Sequence, residues 1–309
     1  MPNEFTSIQL DAAFREDFDR LIALGIHEDL GQSGDLTTLA TVPEHAQGSC
    51  AVVARQAGIA AGLVAIEWIV TALDFQLTVE RLVGEGDSFQ PGSQLATISG
   101  PARQILSAER MILNVTSRLA GIATATARYR QQIADLPTRL YDTRKTTVGW
   151  RRLEKYAVRM GGGHNHRSGL YDAILIKDNH LALGGTSATE PLSPAIAIDR
   201  ARQYLQQVGR SAETVIETEV DSLEQLAAAL PADPDIVLVD NFSLDQLRQA
   251  VALRDKVAPR VVLEASGSVS IDTIRAIAET GVDRISCGAI THQSTWLDLG
   301  LDWRAPIAT

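Results

Sequence analysis

The sequence predicts an α/β protein in two parts, a compact α+β domain followed by a barrel of parallel strands, and two patterns carry that reading. From Leu136 onward, short apolar strands alternate with helix-like stretches. Alternating βα units imply parallel strands covered by helices, and a long run of them implies a barrel. Before Leu136 the signals are mixed, with strands, tight turns and a helix in no fixed alternation. A chain of 309 residues can bury one large core or two smaller ones.

Residues 8–26 carry a helical pattern, and HEDLGQSGDLTT from His27 reads as a glycine-broken polar loop. SCAVVARQ from Ser49, FQLTVERLV from Phe75 and QLATISG from Gln94 read as strands, and AIEWIVTAL from Ala65 as a helix. Turns at Gly84–Asp87 and at Pro91-Gly92 separate the last strands. Ala102 to Leu136 is glycine-poor with helical apolar spacing, which predicts one or two helices with Gly121 as a break. Then come RLYDT with a helix from about Trp150, and AILIKD with a helix near 194–208. TVIETEV pairs with 222–230, IVLVDN with 243–254, RVVLEAS with 270–280, and DRISCG closes the series. The proline-containing stretches Gly184 to Pro194 and Pro231 to Pro234 fall between elements as loops.

Composition narrows the function classes. A formal net charge of −10 argues against non-specific nucleic-acid binding, which needs broad positive potential. Cys50 and Cys287 match no zinc or CxxC spacing, so free, buried thiols in a reducing compartment are expected. The N-terminus lacks a basic start and apolar core, and the longest uncharged apolar run, Ala57 to Ile66, is too short to span a membrane. A cytoplasmic protein is expected.

Against this acidic background, residues 142–180 hold eight Lys or Arg and four Asp or Glu. Concentrated positive charge implies an anion to meet. Arg151, Arg152, Lys155 and Arg159 fit the solvated face of a helix. Arg144, Lys145, Arg167 and Lys177 border apolar runs and glycines instead, and read as anion ligands.

In βα barrels, functional groups come from the carboxyl ends of the strands. Those ends supply Asp142 with Arg144 and Lys145, then Lys177 and Asp178, Glu219, Asp240, Glu264 with Ser266 and Gly267, and Ser286 with Gly288. This describes a pocket with bases on early strands and acids on middle ones. Glu219 and Asp240 end successive strands, and paired carboxylates beside phosphate suit Mg²⁺. Glu217 lies deeper on the same strand face as Glu219. EASGSVS and SCGAITH bring glycines to the last two strand ends, where backbone N–H groups bind phosphate. The Gly161-Gly162-Gly163 run allows positive φ and close backbone approach. His164 and His166 have no acid or cysteine at ligand spacing, which disfavours zinc. Gly-x-Ser-x-Gly, Walker and Rossmann glycine motifs are absent from the matching contexts.

Taken together, DTRKTT from Asp142 and GGGHNHRSGLYDAILIKDNH from Gly161 resemble the quinolinate phosphoribosyltransferase family. The resemblance extends through EDLGQSGDLTT, AERMILN, AGIATATA, ETEVDSLEQL, LVDNF, LEASG and TGVDRISCGAITH, so it covers nearly the whole chain. It implies an N-terminal α/β sandwich followed by an incomplete barrel, with 1–117 joined by 293–309 in the first domain and 118–292 in the second. It implies a Mg²⁺-dependent reaction of quinolinate with phosphoribosyl pyrophosphate, giving nicotinate mononucleotide, pyrophosphate and CO₂ in NAD biosynthesis. It further implies a homodimer with shared active sites.

Residue by residue, the resemblance makes Arg144, His166, Arg167 and Lys177 binders of the two quinolinate carboxylates, with Lys145 between the substrates. Arg110 becomes an arginine reaching into the neighbouring subunit's pocket. Glu219 and Asp240 become the acids for ribose hydroxyls and Mg²⁺. Ser266, Gly267 and Gly288 fall in the phosphate loops, with His292 just beyond. Val148 departs from the family's proline before Gly149, Glu217-Thr218 from an apolar neighbour, and Gly184 to Pro194 from a shorter connection. VGEGDSFQPGSQLATISG also resembles a lipoyl or biotinyl hammerhead, but lacks the modified lysine between its strands.

Overall fold

The computed structural model describes residues 4–185, 191–211 and 213–304. The chain forms two compact units. One takes Ile8–Ala127, Thr146–Gly162 and Ile290–Thr309; the other takes Met1–Ser7, Arg128–Lys145 and Gly163–Ala289.

The first unit opens with α1 (Ala12–Leu30) and α2 (Leu36–Thr41), capped by the Asp11 and Asp35 carboxylates, which accept from the Phe14 and Thr38 N–H groups. The first cap sets the start of α1 four residues later than the apolar pattern suggests, and the helix runs on through HEDL to Leu30. Next come β1 (Gln47–Ala54), β2 (Gly58–Ile59), α3 (Val64–Ala72), β3 (Thr78–Arg81), β4 (Ser88–Phe89) and β5 (Gln94–Pro101). α4 (Ala102–Gln132) is one continuous helix whose last turn belongs to the other unit. It does not break at Gly121. That glycine serves close approach instead, since a Cβ there would stand 2.2 Å from the Thr295 carbonyl oxygen.

With the C-terminal strand, numbered β12 below (Leu299–Trp303), the antiparallel sheet runs β12-β1-β5-β3. Cys50 pairs with Trp303 on one side and Ile98 on the other. Phe14 and Phe18 of α1 pack edge-on against Trp68 of α3. Phe14 also meets Tyr156 of α5 (Arg151–Met160).

That last helix corrects an expectation. Its basic residues are not a solvated face: Lys155 is fully buried and Arg151, Arg152 and Arg159 are half-buried. Arg152 donates to Asp17 at 2.9 Å, Arg159 to the Ile8 carbonyl at 2.5 Å and Arg151 to Thr146 at 3.0 Å. Long cationic side chains lie along apolar surface while their heads find local acceptors. The charge pattern alone cannot separate this from solvation.

The second unit holds six parallel strands. They are β6 (Arg139–Tyr141), β7 (Ala173–Ile176), β8 (Val215–Val220), β9 (Ile236–Asp240), β10 (Val262–Ser266) and β11 (Arg284–Ser286). The sheet order is β6-β11-β10-β9-β8-β7, which is chain order read around a ring and opened between β6 and β7. This is the incomplete barrel. The segment at His164 adds to the free edge of β6: its N–H donates to Leu140 O at 2.8 Å and its carbonyl accepts from Asp142 N at 3.0 Å.

Helices α6 (Asp178–Gly184), α7 (Pro194–Gln207), α8 (Leu223–Ala229), α9 (Leu244–Val257), α10 (Ile274–Ala278) and α11 (Ala289–His292) follow the strands in turn. Ser193, Ser222 and Ser243 cap α7, α8 and α9 through their hydroxyl oxygens. The short α6, which starts at the Asp178 of LIKD, has no counterpart in the pattern read from the sequence. Of the Gly184 to Pro194 connection, residues 186–190 lie outside the described residues. Phe5, Tyr141, Ala173, Val215 and Ile236 form a buried apolar cluster, with Phe5 coming from the N-terminal segment.

Candidate active site

The carboxyl ends of all six parallel strands, with the loop behind His164, enclose a cavity of about 380 Å³. β6 is followed by Thr143, Arg144 and Lys145; β7 contributes Leu175 and is followed by Lys177. Glu219 comes from β8, Leu238 and Asp240 from β9, Ser266 from β10 and Ser286 from β11. His166 and Arg167 come from the loop.

Thus Arg144, Lys145, His166, Arg167, Lys177, Glu219, Asp240 and Ser266 share one cavity. Gly267 and Gly288 flank it without lining it, and His292 falls in the other unit. Arg110 also belongs to the other unit, exposed on α4. Thr143, Leu175 and Leu238 escaped the sequence reading. Leu175 and Leu238 are inward-facing positions of strands, visible only once register is known.

The electrostatics are those of an anion site with one acidic wall. Lys177 Nζ ion-pairs with Glu219 Oε2. Asp240 Oδ2 accepts from Asn241 Nδ2 at 2.7 Å. Arg167 donates to Ala173 O at 3.0 Å, while its Nε is buried without a hydrogen-bond partner. Burial, and then the neighbouring Arg144 guanidinium, push the Arg167 pKa below its ordinary value. Two guanidiniums repelling one another are relieved by an anion bound beside them.

Beyond the cavity lie acids that the strand-end pattern assigned to it. Asp142 and Glu264 are fully buried and do not line the pocket. Asp142 instead anchors the loop: its oxygens accept from Asn165 Nδ2 at 2.7 Å and His166 N–H at 2.8 Å. Glu217 and Glu264, both fully buried, lie 3.0 Å and 3.5 Å from His166 Nε2. Burial pushes the Glu217 carboxyl up to about 8. Burial, and then the charge of Glu217, push Glu264 up to about 7. Spacing in sequence gave His166 no acidic neighbour; the barrel supplies two from distant strands.

The loops at the last strand ends are set by backbone geometry. Gly267 has φ +99°, and a Cβ there would lie 2.1 Å from Asn241 Oδ1 and 2.8 Å from Asn241 N. Asn241 N–H in turn donates to Ser266 O at 2.9 Å, locking the loops after β9 and β10 together. Only glycine fits. In the other unit, Gly162 at φ +81° ends α5, and Gly161 sits where a Cβ would stand 2.3 Å from Ala123 O.

An open parallel barrel with a cationic, acid-edged cavity at the strand carboxyl ends defines an α/β enzyme built for polyanionic substrates. The quinolinate phosphoribosyl transferase C-terminal domain matches residues 122–302, and the N-terminal domain of the same family matches residues 35–120. The chain belongs to the quinolinate phosphoribosyltransferase family. It is 41% identical over 286 residues to a nicotinate-nucleotide pyrophosphorylase [carboxylating] of Mycobacterium leprae, covering 91% of this chain and 95% of the relative. A quinolinate phosphoribosyltransferase [decarboxylating] of Nicotiana tabacum is 35% identical over 301 residues, covering 92% of this chain and 82% of the relative. The structure of the nicotinate-nucleotide pyrophosphorylase from Francisella tularensis superimposes with a TM-score of 0.86 at 34% identity, over 97% of this chain and 100% of that one.

Proposed function

We propose that this chain transfers the phosphoribosyl group of phosphoribosyl pyrophosphate to the ring nitrogen of quinolinate, with release of pyrophosphate and CO₂ and formation of nicotinate mononucleotide. The observation that carries this is the single cavity in which Arg144, Lys145, Arg167 and Lys177 face Glu219 and Asp240 at the strand ends of this family's barrel.

The chemistry follows from those groups. Quinolinate is a dianion, and Arg144, Arg167 and Lys177 give its two carboxylates paired or single cationic partners. His166 shapes the same wall. As the bond from the ribose C1 to pyrophosphate breaks and the bond to the ring nitrogen forms, positive charge develops on the sugar. A carboxylate held close to that carbon stabilises the charge, which is the role of Glu219 and Asp240. Lys145, an exposed member of the cavity lining, bridges the anionic groups of both substrates. Alkylation makes the ring nitrogen cationic, which stabilises the electron pair left on the adjacent ring carbon when its carboxylate departs as CO₂, and a proton from solvent then takes the carboxylate's place. Catalysis is positioning and electrostatics, without a covalent enzyme intermediate.

Glu219 and Asp240 also fit a hard divalent cation: they are carboxylates on adjacent strands, half-buried and open to the cavity. They would hold Mg²⁺, which would neutralise the charge of the departing pyrophosphate. The exposed Arg110 completes a partner's pocket in a homodimer, as the family resemblance implies. Two buried free cysteines suit a reducing cytoplasm. Among the described residues, no helix is long and apolar enough to cross a membrane.

The test is product formation from quinolinate, phosphoribosyl pyrophosphate and Mg²⁺, with nicotinate as parallel substrate. Nicotinate mononucleotide with one CO₂ from quinolinate alone is the expected result. No product from a folded protein would overturn the assignment.

A further inference from the structure

The imidazole of His166 is held on three sides by protein groups. Its Nδ1 accepts the Arg167 backbone N–H at 2.8 Å. A donor that close needs a lone pair, so Nδ1 carries no proton and the neutral ring must carry its hydrogen on Nε2. That nitrogen lies 3.0 Å from Glu217 Oε2 and 3.5 Å from Glu264 Oε1, both on fully buried residues, and neither acid takes a hydrogen bond from it. Phe5 stacks on the ring, with centroids 4.2 Å apart and planes inclined by 29°. Phe5 is itself kept in place through its neighbour: Glu4 ion-pairs with Arg284 and accepts from Tyr141 Oη at 3.1 Å.

The three side chains His166, Glu217 and Glu264 have potential ligand atoms all within 4.8 Å of one another, which invites a metal reading. The tautomer opposes it. A histidine bound to metal through Nε2 donates its Nδ1 proton to an acceptor, whereas here Nδ1 is itself the acceptor.

We propose that Glu217, Glu264 and Phe5 are positioning residues of the quinolinate subsite: the Arg167 backbone N–H fixes His166 as the neutral Nε2–H tautomer, and these three side chains pack around the ring so that both of its nitrogens are turned away from substrate. His166 then meets the substrate as a fixed, uncharged wall. The charge opposite the two substrate carboxylates comes from the cationic side chains of the cavity, Arg144, Lys145, Arg167 and Lys177, and not from His166. A rigid neutral edge fixes the angle of the pyridine ring, so that its nitrogen faces the ribose carbon. The kinetic half of this proposal rests on quinolinate being the substrate; the tautomer does not.

Two measurements on the full chain test it. With ¹⁵N-labelled histidine, the proton–nitrogen correlations of His166 should show a pyridine-type Nδ1 and a pyrrole-type Nε2. A protonated Nδ1 would overturn the proposal, as would one tightly bound divalent metal per chain that is lost in Glu264→Leu. In kinetics, Glu264→Leu and Phe5→Ala should each raise KM for quinolinate by about tenfold and leave that for phosphoribosyl pyrophosphate within about twofold. Glu264→Gln, which keeps the size and shape of the side chain, should recover most of the loss. Equal changes in both KM values, or no change in either, would refute the positioning role. Should Glu264→Leu fail to fold, the labelled unaltered protein and Phe5→Ala still decide.

Discussion

Lys145 and Glu219 both line the cavity, and the proposed mechanism gives them its two central roles. If the acid stabilises ribose charge and the lysine bridges the substrates, Lys145→Ala and Glu219→Ala should each lower kcat by about 100-fold or more. Steady-state turnover with both substrates saturating measures this, and near-normal rates in either variant would contradict the electrostatic mechanism. Glu264 makes a different prediction, about stability. Burial raises its folded-state pKa to about 7 from the ordinary 4.5, so the folded state holds a proton that the unfolded state releases earlier. Its favourable contribution is complete below the unfolded pKa and is lost as pH rises through the folded one. Between about pH 4.5 and 7 the native protein should therefore lose stability relative to Glu264→Gln, by on the order of 3 kcal/mol. Denaturant unfolding of the two proteins across that interval gives the comparison, and parallel curves would count against a raised pKa.

At the scale of elements, the loops after β9 and β10 act as one part. Gly267→Ala would drive a methyl group into Asn241 at a φ unfavourable to L-residues. It should cost roughly 1–3 kcal/mol of stability and weaken binding of phosphoribosyl pyrophosphate more than that of quinolinate. Calorimetric titration with each substrate separates the two. The elements also show what periodicity can and cannot reveal. The βα rhythm located every strand of the barrel, because strands buried on both faces read as short apolar runs. It did not find α6, a short helix that starts directly after Lys177. It took α5 for a solvated helix, because Lys and Arg stems bury like apolar residues once acceptors such as Asp17 and the Ile8 carbonyl lie within reach.

For the whole molecule, the decisive prediction concerns assembly. If Arg110 acts in the partner's cavity, Arg110→Ala and Lys145→Ala homodimers should both be nearly inactive. Mixing and exchanging their subunits should restore roughly a quarter of native activity, since half of the dimers then hold one intact site. Sedimentation of the mixture confirms exchange, and no recovery after exchange would place Arg110 outside the partner's site.

The sequence by itself determined the α/β class, the succession of barrel strands and most of the cavity lining. It could do so because strand ends carry their chemistry within a residue or two of an apolar run, and such local patterns survive in one dimension. Arg144, Lys145, Lys177, Glu219 and Asp240 were legible in this way. The tertiary structure alone decided that Asp142 is an anchor and that Glu264 lies beneath the cavity. It also brought Phe5, Glu217 and Glu264 around His166 from positions far apart in the chain. The physical reason is that burial and long-range approach depend on strand register and on which edge of the barrel stays open. Neither leaves a mark in local spacing.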